Sequence, residues 1–183
     1  RGAVLLLFFF FFNLMKKFVI VLIFCLSVFG FGQNVSVIRK KVEVINNSKN
    51  YVIKKISNDY FVDIKNEVTD NGQELEGYYR NKELKKIVHS IGLSNIINTT
   101  QFYFDKHNLI FVLRKKFKTI DENGNLREPK LISESRFYFV NGNVINQNEK
   151  INQKEVSVIK QQAKIYQNDL KTRRAVERNV EII

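Results

Sequence analysis

The side chains best equipped for chemistry are few: His89 and His107, the lone Cys25, and the carboxylate pair Glu74 and Glu76. A tetrahedral zinc site draws on several Cys, His or carboxylate ligands. Neither histidine has a second His at helical spacing or a cluster of carboxylates around it, so no metal ligand and no cofactor is expected. Nucleophilic catalysis needs a hydroxyl or thiol beside a positioned base. Ser90 follows His89 directly, and neighbours in a strand point to opposite faces. Asn71-Gly72 and Asn123-Gly124 are isolated turn glycines without the strand-to-helix setting of a phosphate loop. Glu74 and Glu76 do share a strand face, and carboxylates roughly 5–9 Å apart can cleave glycosides. A hydrolase of envelope polymers acting through them is the alternative reading. Glutamates two apart are also a common solvated pattern, and the main expectation is a protein without catalytic residues.

A stronger signal is one pattern written three times: EGYYRNKELKKI (Glu76 to Ile87), QFYFDKHNLIFV (Gln101 to Val112) and RFYFVNGNVINQ (Arg136 to Gln147). Strand alternation puts Gly77, Tyr79, Phe102, Phe104, Phe137 and Phe139 on one face, which reads as the core. The other face receives Glu76, Tyr78, Gln101, Tyr103, Arg136 and Tyr138. Tyrosine in the third place of each copy predicts a half-wet surface, with rings covered and hydroxyls seeking water or a partner. These six residues are the partner-binding candidates, suited to a glycan, a peptide or a protein surface. Phe104 should then be needed for folding where Tyr103 is dispensable. Cross-strand tyrosines also stabilise an exposed sheet by roughly 0.2–1 kcal/mol with no ligand at all.

Each copy runs into a turn, at Asn81-Lys82, Lys106-His107-Asn108 and Asn141-Gly142, and back along return strands Leu84 to Ile91, Leu109 to Ile120 and Val144 to Gln147. Gly92 to Asn98 and Asp121 to Pro129 read as loops. Val156, Ile159, Ala163, Tyr166 and Leu170 form a helical stripe, with Asn152 and Glu155 as a capping box. Val35, Ile38, Val42 and Ile45 have the same spacing, although Val42 to Val44 is also compatible with a strand. Tyr51 to Ile56 reads as an edge strand, and Ser57 to Thr69 as a short helix capped by Asn58 or Asp59. The expected fold is α+β: a curved antiparallel meander of three hairpins, with an N-terminal and a C-terminal helix packed on one face.

Met15, Lys16, Lys17 and the apolar run Phe18 to Phe31, closed by Gly30-Phe31-Gly32, form a secretory signal pattern with cleavage after Gly32. Residues 1–14 read as an upstream extension outside the translated protein, 15–32 as the signal peptide and 33–183 as a single α+β domain. Each apolar run is shorter than the roughly 20 residues that cross a bilayer. Cys25 would leave with the signal. Of the net charge of +12, +9 stays on the exported part (27 basic against 18 acidic residues). Arg114, Lys115, Lys116 and Lys118 beside aromatics resemble a base-stacking platform. Export removes the usual nucleic-acid partners, and basic residues also guard exposed strands from aggregation. The expectation is therefore a periplasmic or secreted binding or interaction module of the cell envelope. Its partner would be a protein, a peptide or an envelope polymer, with membrane contact only through an uncleaved signal segment.

The stretch TDNGQELEGYYRNKELKKIVHSIGLS, with FYFDKHNLIFV and RFYFVNGNVI, resembles small exported Bacteroidota proteins of unassigned activity built from aromatic hairpins. The resemblance spans about Asn66 to Gln147. A looser one is to MORN-type and YwqK-like hairpin repeats, from which the chain departs by irregular spacing and by keeping the turn glycine only at Gly142. Both imply a scaffold or binding module, and neither brings catalytic residues.

Overall fold

The structure, a computed structural model, describes residues 34–120, 123–145, 152–172 and 176–180. The expected signal segment and the stretch ahead of it lie outside the described residues. The chain divides into two compact units. In the first, ending at Arg39, the described residues open helix α1 (34–47), with Val35 and Ile38 buried. The second, Lys40–Ile183, carries the rest of α1 and everything that follows.

Among the described residues that unit holds one antiparallel sheet of eight strands: β1 (Tyr51–Ile56), β2 (Gln73–Arg80), β3 (Glu83–Leu93), β4 (Ile96–Asp105), β5 (Asn108–Ile120), β6 (Leu126–Val140), β7 (Asn143–Val144) and β8 (Val176–Val180). Their order is β7-β6-β5-β4-β3-β2-β1-β8, so the sheet is open. Helix α2 (Asn58–Asp63) follows β1, and α3 (Gln153–Thr172) precedes β8. The three hairpins turn at Asn81-Lys82, Lys106-His107 and Asn141-Gly142, all six residues at positive φ between 47° and 76°. This is the mirror-image turn whose twist matches that of paired strands.

The phenylalanine face is the core, as the alternation predicts. Phe102, Phe104, Phe137 and Phe139 pack with Leu75, Ile87 and Val112, under Phe61 of α2 and Val156, Ile159, Ala163 and Leu170 of α3. Burying each of these side chains other than Ala163 contributes roughly 1.5–3 kcal/mol. Gly77 lets α3 approach, since a Cβ there would stand 2.7 Å from Leu170 Cδ1. Asn152 Oδ1 caps α3 by accepting from the Lys154 N–H at 3.0 Å, while the Glu155 carboxylate binds Arg114 at 2.9 Å.

Several expectations are corrected. The two terminal helices do not share a face: α3 covers the phenylalanine side, whereas from Lys40 onward α1 contacts the tyrosine side through Asn46, bonded to Tyr103 and Lys86. The core side is already filled by α2 and α3, and the tyrosine rings offer a second apolar surface. Gly92 to Asn98 is mostly ladder rather than loop, because the Gly92 N–H donates to the Gly72 carbonyl at 2.9 Å and Asn71 Nδ2 to the Ser94 carbonyl at 2.8 Å. Strand β6 begins at Leu126 and absorbs Pro129. Proline is tolerated there because pairing with β5 is irregular and β7 covers only Phe139 and Val140. Strand β1 is not an edge, since β8 pairs outside it. At the start of α2 the Ser57 side chain makes no capping bond, and Asn58 Oδ1 instead accepts from the Gln73 N–H. The last return strand ends at Val144, and residues 146 and 147 lie outside the described residues.

Candidate functional site

Register brings the six predicted binding residues into two cross-strand rows. One runs Tyr78, Lys86, Tyr103, Phe111, Tyr138, and the other Glu76, Val88, Gln101, Leu113, Arg136. The return strands thus interleave a residue between each pair of candidates. Lys86 Nζ lies over the rings of Tyr78 and Tyr103, 5.6 and 5.3 Å from their centroids. Burial lowers its pKa, against the opposing pull of Glu76. Phe111 stacks obliquely on Tyr103 at 5.5 Å and on Tyr138 at 4.9 Å.

The tyrosine row is half-wet only at Tyr78, which stays partly exposed. Tyr103 is 1% exposed and Tyr138 8%. Tyr103 Oη finds its partners within the protein, donating to Gln101 Oε1 at 2.6 Å, with Asn46 Oδ1 at 3.1 Å. Tyr78 Oη donates to Glu76 Oε2 at 2.8 Å. Burial first, then this carboxylate, raises the Tyr78 pKa above its ordinary value. The second row remains part-exposed at Glu76 and Gln101 and exposed at Arg136, which grips Glu134 at 2.5 Å.

The remaining chemical candidates are engaged in structure. Glu74 pairs with Lys55 and Glu76 accepts from Tyr78. His89 is buried between Gln73 Oε1 at 3.1 Å and Tyr166 Oη at 2.9 Å. Because Gln73 Oε1 can only accept, Nε2 carries the proton and Tyr166 donates to Nδ1. His107 is exposed in its turn. Among the described residues no group of three His, Cys, Asp or Glu could hold a metal, and no helix is long and apolar enough to cross a membrane.

A pocket of about 420 Å³ lies between the second half of α1 and the tips of the β2–β3 and β4–β5 hairpins. Positions 40, 41, 44 and 45 of α1 and Ser48 just past its end form one wall. Ile45, Tyr51 and Phe104 are its buried apolar lining, and Val44 is exposed at its edge. Lys41 pairs with Asp105 at 2.5 Å and Lys85 with Glu83 at 2.8 Å. These bonds hold both carboxyls below their ordinary pKa range, helped at Glu83 by the Lys106 N–H. Arg80 donates from Nη1 to Ser48 Oγ at 2.8 Å, and Ser48 in turn donates to the Val44 carbonyl at 2.6 Å. Among the described residues no carboxylate pairs with Arg80 or Lys40. Sequence reading missed this site because its residues come from four separate segments. The available signal was the helical stripe Lys40, Val44, Ile45, Ser48 beside the apolar stripe already recognised.

The chain matches nothing when compared with protein-family models, with curated proteins or with solved structures.

Proposed function

We propose that the protein is an exported, non-enzymatic binding module of the cell envelope, and that its ligand occupies the pocket beside α1 rather than the tyrosine row. The observation that carries this reading is a cavity of about 420 Å³ with an apolar lining and two cations that pair with no carboxylate among the described residues. That volume falls within the roughly 300–1,000 Å³ typical of small-molecule sites. Capture rather than turnover is supported by the state of the polar groups. Both carboxylates in the lining are neutralised by lysines, and the Ser48 hydroxyl donates to a backbone carbonyl, with no histidine among the described lining residues. Export rests on the charged, apolar and small-residue pattern of residues 15–32.

The test exposes the immobilised exported protein to an envelope extract and identifies retained small molecules and glycans by mass spectrometry. Val44→Trp, at an exposed lining position, should fill the pocket without disturbing the core. The proposal expects a discrete retained species that this variant loses. Equal retention by the variant would move the site elsewhere. Retention of nothing by the folded wild type would remove the binding reading.

A further inference from the structure

The character of the pocket goes further than its existence. The lining holds four cations, Lys40, Lys41, Arg80 and Lys85, against two carboxylates, Glu83 and Asp105. Both carboxylates are consumed by Lys41 and Lys85. A net excess of two positive charges remains, on Arg80 and Lys40. The C-terminal end of α1 opposes them with roughly half a negative charge. That end is itself partly quenched, because Ser48 Oγ donates to the Val44 carbonyl and Tyr51 Oη to the Ile45 carbonyl. Two full charges outweigh a quenched half charge, so the pocket selects an anion.

Arg80 is the better anchored of the two cations. Its bond to Ser48 uses Nη1, and a guanidinium has five donors in a planar fork suited to carboxylate or phosphate. Lys40 stands eight residues before Ser48 on the same wall, about 12 Å along the helix at 1.5 Å per residue. The same lining includes Val44, Ile45, Tyr51 and Phe104, apolar surface that a hydrated inorganic anion would leave unused.

Resting on the reading of this pocket as the binding site, we infer that its ligand is an anionic amphiphile. A carboxylate or phosphate head binds Arg80, and an alkyl or aromatic body lies along Val44, Ile45, Tyr51 and Phe104 toward Lys40. The same chemistry is presented by a free acid and by an anionic lipid.

The experiment titrates the exported protein calorimetrically with decanoate and with a neutral decyl glucoside, each below its micelle concentration, and measures co-sedimentation with phosphatidylglycerol vesicles. Arg80→Glu is compared with Lys130→Glu, which makes the same charge change at an exposed position outside the pocket. Decanoate or the vesicles should bind at least tenfold more weakly to Arg80→Glu than to wild type, with Lys130→Glu close to wild type and the glucoside weaker than decanoate. Decanoate binding identifies a free acid as the source, and vesicle binding alone identifies a lipid. Equal losses in both variants would reduce the effect to overall charge and overturn the inference. Glucoside binding as tight as that of decanoate would overturn the anionic head while leaving the pocket as a site. No binding of any probe would overturn the amphiphile class, and the mass-spectrometric capture then decides the site separately.

Discussion

Lowering the pH from 7 to 5 should destabilise the folded protein through His89. Its imidazole is 5% exposed, wedged between Phe61 and Tyr166 with ring centroids 5.6 and 4.7 Å away. Burial lowers its pKa to about 4, from an ordinary 6.5. The native state therefore holds His89 neutral where the unfolded chain takes up a proton. Stability from this group is fully present above pH 6.5 and falls as the pH drops toward 4. Linkage gives a loss of about 2 kcal/mol at pH 5 and about 3 kcal/mol at pH 4. Urea unfolding at pH 7 and 5 measures it, with His89→Gln as reference. The glutamine amide can accept from Tyr166 and donate to Gln73 but does not titrate, so carboxylate effects common to both proteins cancel. Wild type should lose about 2 kcal/mol more than the variant over this interval. Equal losses would refute the reasoning. So would an imidazole titrating near pH 6.5 in the NMR spectrum of His107→Gln, where His89 is the only histidine left.

The covered tyrosine row reverses the expectation for Tyr103: in chemical unfolding, Tyr103→Ala and Phe104→Ala should each cost about 3–5 kcal/mol, the usual penalty for a buried aromatic, and a Tyr103→Ala protein as stable as wild type would return that face to solvent. Gly77→Ala should cost about 1–3 kcal/mol by overpacking, because the new Cβ meets Leu170; an unchanged melting profile would mean that α3 stands farther off. Asp169, buried in α3, accepts from Tyr60 Oη at 2.9 Å and Lys65 Nζ at 3.2 Å. Asp169→Ala should therefore cost about 1–3 kcal/mol, read from the urea midpoint, and no change would show that this link between α2 and α3 adds nothing.

The sequence carried the sheet well because a period of two is robust: the aromatic alternation in 101–104 and 136–139 names the core face, and Asn141-Gly142 names its own turn. The other two turns hold Asn81, Lys82, Lys106 and His107 at positive φ, a conformation that asparagine and histidine favour but that the paired strands must impose on the two lysines. Alternation also says which residues share a face without saying what covers it. Tyr78, Tyr103 and Tyr138 do share a face, yet the pattern carries no sign that Asn46, from a helix distant in sequence, bonds Tyr103. Register slips place Lys85 and Ile110 opposite no partner, between Tyr78 and Tyr79 and between Tyr103 and Phe104. Such bulges depend on tertiary fit. Strand β8 lies in a short charged segment without alternation and gave no signal. The pocket was invisible for a related reason: Lys40, Arg80, Glu83 and Asp105 are neighbours only once α1 lies across the hairpin tips.

Methyl NMR of the protein, titrated with decanoate, tests the placement of the binding site most directly. Saturable shifts are predicted at Val44 and Ile45, which line the pocket, while Leu131 and Ile132, exposed on β6, stay in place. Shifts confined to Leu131 and Ile132, or none at Val44 and Ile45 up to the limit of decanoate solubility, would contradict the account.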